Sequence, residues 1–122
     1  MKRNKLDNLI AKLVKELEAS EEYQDFKEEV YDTLKKTVEE YREGSNDTIE
    51  EMYEEISYPP IESINSYAQS LTGLLVKENI LDPNKLTDED RMYISDQIAL
   101  YWIEVRKEMC KKILGIKKKG GN

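Results

Sequence analysis

Glu50, Glu51, Glu54 and Glu55 stand as two adjacent pairs one helical turn apart in the stretch TIEEMYEEI. Carboxylates so spaced share a helix face. Such a face can hold a divalent cation, meet a basic partner, or stay in water. Towards the other end, Lys111, Lys112, Lys117, Lys118 and Lys119 make a basic run in KKILGIKKKGGN. Ammonium groups at that density attract phosphates and carboxylates. The rest of the chemistry is sparse. The chain has no histidine, which removes Ser-His-Asp triads, most zinc sites and the Glu-x-x-His units of di-iron bundles. Cys110 has no histidine to activate it and reads as a small packing residue on a helix. As the single cysteine it leaves no intramolecular disulfide. The glycines at 44, 73 and 115 are isolated, so no glycine-rich phosphate loop is present.

Magnesium chemistry on carboxylates needs more than one pair. Glu51 and Glu54 match the first half of the Glu-x-x-Glu, Glu-x-x-Asp pattern of MazG-like nucleotide pyrophosphohydrolases. No second pair follows in that order, and the apolar periodicity turns both acids outward. The expectation is therefore no enzyme, no cofactor and no metal. Two segments, DFKEEVYDTLKKTVEEY and RKEMCKKILGI, resemble helices in the A-domain of GINS replication proteins. What they share is charge and helical periodicity. The small β-domain of that family has no counterpart, so no function is carried over.

Charge is sorted along the chain. Residues 1–15 carry a net of +4, residues 16–55 a net of -12, residues 56–104 a net of -5 and residues 105–122 a net of +6. Lys111 and Lys112 fall where cations favour a helix C-terminus. Lys117, Lys118 and Lys119 lie past Gly115, either as a solvated end or as a contact for phosphate or an acidic partner.

The elements that must place these groups are helices. Leu6, Leu9, Ile10, Leu13, Val14 and Leu17 recur at three- and four-residue steps, with Asn4 and Asp7 as candidate caps. Ser20 followed by Glu21 and Glu22 reads as a second helix start, or as a bend in one long helix. Tyr23, Phe26, Val30, Leu34, Val38 and Tyr41 form the next stripe, ending at Gly44 in the place of a left-handed cap. Asp47 with Glu50 predicts a capping box for a short third helix with Ile49, Met52, Tyr53 and Ile56 inward. Tyr58-Pro59-Pro60 stops it, and Pro60 is placed as the first residue of a fourth helix. That helix turns Ile61, Ile64, Tyr67, Ala68, Leu71, Leu74 and Leu75 inward, and Gly73 within it would suit a close helix crossing. Thr87 with Asp90 predicts a further capping box. The last helix, about 88–114, has the stripe Ile94, Ile98, Trp102, Val105, Met109 and Ile113, and a second strip of Leu100, Ile103, Cys110 and Leu114. The second strip predicts self-association as a symmetric dimer. Tyrosines on the stripes are expected at amphipathic rims with wet hydroxyls.

The fold expected is all-α, a small bundle of four to five helices with a short third helix. Residues 1–115 would form one helical domain and residues 116–122 a basic, flexible C-terminal tail. Helices one, two, four and five would make a four-helix core, with helix three crossing it. No apolar run reaches the ~18 residues of a membrane span, so a cytoplasmic protein is expected. The function expected is a non-catalytic interaction protein (an adaptor, assembly subunit or regulator) whose partner is another protein with a basic surface. Glu50, Glu51, Glu54 and Glu55 would form its acidic contact, and the five lysines its basic one. Two alternatives stand beside it. One is an acidic mimic of nucleic acid that inhibits a DNA- or RNA-binding protein, as viral or mobile-element inhibitors do. The other is a nucleic-acid-associated subunit using the basic termini.

Overall fold

The computed structural model describes residues 1–116. Five helices carry the chain: α1 Arg3–Ala19, α2 Glu21–Gly44, α3 Ile49–Ser57, α4 Ile61–Lys77 and α5 Asp88–Leu114. A 3-10 turn at Pro83–Lys85 leads into α5, and no strand occurs among the described residues. No helix there is long and apolar enough to cross a membrane.

Helix α5 lies at the centre and touches each of the other four helices, α4 most extensively. Its residues are buried on more than one side. Ile94, Ile98 and Trp102 are buried, and so are Ile103, Cys110 and Leu114. The strip that predicted self-association is therefore largely covered within the chain, and of its four members only Leu100 is exposed, at 55%. Burying a helix on both faces requires neighbours all round it, and the short α3 supplies one of them.

Helices α1 and α2 are separated by Ser20 alone, which is extended at φ -81° and ψ 126°. Its hydroxyl accepts from the Tyr23 amide at 3.3 Å and donates to Glu78 at 3.1 Å, fastening the junction to the end of α4. The two helices meet α5 in one continuing order. The Met1 amino group reaches Asp90 at 3.3 Å, and Tyr93 donates to Asp7 at 2.6 Å. Further along, Tyr101 meets Glu18 and Tyr23, and Lys112 lies over Tyr31. The Ser20 break is thus a bend that lets α1 cover one half of α5 and α2 the other. Of the four helices expected to form the core, α1 and α2 thus act in series along α5. The centre of the core is Trp102, fully buried, with Phe26 and Tyr67 ring centroids each 5.2 Å away and Tyr23 at 6.4 Å.

Several helix ends differ from expectation. Helix α1 starts after Lys2 with no side-chain cap, and Asn4 instead accepts from the neighbouring Lys5 amide. Gly44 is the last residue of α2, and the residue after it, Ser45, is extended; the left-handed backbone occurs at Asn79 and Gly115. The third-helix capping box is Thr48 with Glu51, one residue past the predicted pair, because the Thr48 hydroxyl oxygen accepts from the Glu51 amide at 3.2 Å. Pro60 is the N-cap of α4. Ile49 and Ile61, placed inward by periodicity, are exposed at 41% and 74%, since both are first residues of their helices. Thr87 with Asp90, and Gly115 at φ 74°, cap α5 as predicted.

The break between α3 and α4 has a chemical cost. In an α-helix the Ile56 carbonyl would accept from the amide four residues on. That residue is Pro60, which has no N–H. The Arg106 guanidinium replaces it, donating from Nη2 to the Ile56 oxygen at 3.1 Å. Arg106→Ala is expected to lower stability by about 1.5–3 kcal/mol, the range for a hydrogen bond to a charged group. Gly73→Ala should do the reverse. A Cβ at Gly73 would meet nothing within 4 Å, so no close crossing explains the glycine. Removing its backbone freedom should add up to ~1 kcal/mol. Urea unfolding midpoints of the two variants check both signs.

Candidate interaction site

The α3 glutamates are all exposed, opposite the buried Met52 and Ile56. They are not equivalent. The Glu51 carboxylate accepts from the Thr48 hydroxyl at 2.9 Å and the Thr48 amide at 3.3 Å, so it is held in the capping box. Glu50, Glu54 and Glu55 make no ion pair among the described residues. Glu39, Glu40 and Glu43, at the end of α2, are exposed and equally unpaired there. The Tyr41 hydroxyl donates to Asp47 at 2.6 Å, fastening the link between these two acidic segments.

The basic set is only partly described. Lys111 pairs with Glu108 at 3.5 Å, and the Lys112 ammonium sits 5.6 Å from the Tyr31 ring centroid. Both lie in the last turn of α5. Lys117, Lys118 and Lys119 lie outside the described residues. No hydrogen bond or ion pair joins Lys111 or Lys112 to the α3 acids.

Beside Lys112 runs an open trough of about 630 Å³ between α2 and α5. Its apolar lining comes from Tyr31, Tyr101, Val105 and Met109, with Lys27, Glu28, Glu104 and Glu108 also lining it. Periodicity assigns Val105 and Met109 to the core stripe. They are half-buried, on the side of α5 that faces the open trough. Cys110, one residue on, is fully buried, and burial pushes its thiol up, away from the reactive thiolate. Among the described residues no group of three His, Cys, Asp or Glu side chains is placed to hold a metal ion.

Of the stripe tyrosines, Tyr23, Tyr41, Tyr93 and Tyr101 have their hydroxyls engaged by side chains, whereas Tyr53 and Tyr67 have no such bond among the described residues. Tyr23 and Tyr101 share a hydrogen bond of 2.7 Å, and Tyr101 also donates to Glu18. Lys27 closes the cluster with an ion pair to Glu18 at 3.3 Å. Burial opposes ionisation of Glu18, but the bonds from Tyr101 and Lys27 outweigh it and hold its carboxyl below the usual 4.5. Burial, first of all, lifts the Tyr101 phenol well above its ordinary 10.0, and the bonds to Glu18 and Tyr23 add to this. Tyr23 is pushed up to about 12, chiefly by burial, with its bond to Tyr101 opposing.

Comparison of the chain with protein-family models, with curated proteins and with solved structures gives no match.

The phenol cluster predicts alkaline sensitivity. Between about pH 10 and the raised native values, the folded protein keeps protons that the unfolded chain releases. Stability is therefore full below that window and falls as pH rises through it. The urea midpoint should begin to drop at about pH 10 and keep falling towards about pH 12. Tyr101→Phe combined with Tyr23→Phe should flatten that drop while lowering the neutral-pH midpoint.

Proposed function

We propose that this chain is a non-catalytic interaction protein that binds a basic protein surface through the acidic end of α2 and the outer face of α3. The observation that carries this reading is the set of exposed carboxylates without ion pairs, Glu39, Glu40, Glu43, Glu50, Glu54 and Glu55. Elsewhere the acids are partly paired, as in Lys77–Glu22 at 3.2 Å and Lys107–Glu104 at 3.5 Å, whereas none of the closely spaced acids of this segment is. Like charges one turn apart repel by a few tenths of a kcal/mol each. A cationic partner relieves that repulsion and is steered to the surface by it. Proteins that bind DNA or RNA present surfaces of this sign, so an inhibitor that occupies such a site is the narrower form of the same reading. Use of the basic end on nucleic acid has less support, because Lys111 is already paired and Lys112 rests on Tyr31.

The test is a triple variant, Glu50→Gln, Glu54→Gln and Glu55→Gln, which leaves the Glu51 capping box in place. Its melting temperature should hold or rise. Partners captured from the native cell at low salt by the unaltered protein should bind it more slowly, and the difference should vanish at high salt. Unchanged affinity at low salt would make these acids a solvated surface only.

A further inference from the structure

We propose that the cleft between α2, α4 and α5 binds a small carboxylate that carries an apolar stem. The cleft holds about 290 Å³, at the small end of ligand sites, which run from roughly 300 to 1,000 Å³. Two rows of α2 form one wall. Phe26, Val30 and Leu34 recur at four-residue steps and are apolar. The neighbouring row carries Thr33 and Thr37. Tyr67 from α4 and Arg106 from α5 also line the cleft.

Arg106 carries the argument. It is partly buried, and no carboxylate lies within 4.0 Å of it among the described residues. One N–H goes to the neutral Ile56 carbonyl, and Nε is enclosed with no partner at all. A guanidinium partly withdrawn from water with only a neutral acceptor has donors to spare, and a carboxylate is the group that matches it in charge and shape. The phenol of Tyr67 can add a second donor. Thr33 and Thr37 do not compete for the anion, because they donate to the backbone carbonyls of Glu29 and Thr33 at 3.0 and 2.9 Å. Glu29, the acid on this cleft, is exposed and forms no ion pair with Arg106. The acid group thus belongs at Arg106 and the stem against Phe26, with the largely buried Val30 and Leu34 behind it.

Occupancy has a built-in reporter. Phe26 and Tyr67 line the cleft and both pack on Trp102, the chain's single tryptophan. Three probes test the site by Trp102 fluorescence and by calorimetry: isocaproate, its uncharged amide, and a short peptide ending in leucine with a free C-terminal carboxylate. Isocaproate should saturate, and the amide should bind at least about tenfold more weakly, the loss of one charge-assisted bond. Saturation by the peptide alone would assign the carboxylate to a partner's chain end, and saturation by isocaproate to a free small acid. Arg106→Gln should abolish the preference for the acid over the amide. Because that variant also disturbs the Ile56 contact, Thr33→Phe serves beside it. Thr33 is exposed on the cleft wall and hydrogen-bonds to neither Arg106 nor Ile56, so a larger ring there is placed to fill the cleft. Circular dichroism should stay unchanged and binding should be lost. Equal binding of acid and amide, no saturation by acid or peptide at millimolar concentration, or unaltered binding by Thr33→Phe would each overturn the proposal.

Discussion

Helix α5 presents apolar side chains around most of its circumference, and a helix of that kind persists in water only under a cover. At 27 residues it is about 40 Å long, more than any other helix of this chain can span alone. The cover is therefore assembled in pieces. The α1–α2 pair runs end to end along it, α4 packs on another side, and α3 fills the place that remains. Because the covered helix comes last in the chain, the contacts of α1, α2 and α3 with it join residues far apart in sequence. Until α5 is made, the early helices have only their limited contacts with one another to bury their amphipathic faces.

This arrangement places a single set of aromatic rings in charge of alignment. Trp102 meets Phe26 and Tyr23 from α2 and Tyr67 from α4. One turn further along the same face, Arg106 holds the end of α3. Two successive positions of α5 thus set where α2, α4 and α3 sit. The proline pair between α3 and α4 makes the second of them necessary, since it withdraws the amide that would have closed α3. A chain break and a basic residue forty-six positions later are one structural device.

Much of the fold was legible. The stripes on α1, α2 and α4 predict buried faces because a one-sided pattern has one meaning on an amphipathic helix. The boxes at Thr87 and the stop at Gly115 were legible because capping chemistry is local. The second strip on α5 was visible too, but its meaning was not. A strip on the far side of a helix reads the same whether a neighbouring helix or another molecule covers it, and here Ile103, Cys110 and Leu114 are covered from within. The acidic faces were readable, whereas the special position of Glu51 depended on which of two adjacent residues, Asp47 or Thr48, took the cap. The Arg106 cleft was not readable, because its lining comes from three helices and its decisive feature is a missing counter-charge.

Cys110 has 0% exposure and no chemical competitor of its own kind in the chain. A thiol reagent can reach it only when the end of α5 lifts away from its cover. The rate of its alkylation is therefore a clock for that opening, set by the protein itself and needing no label.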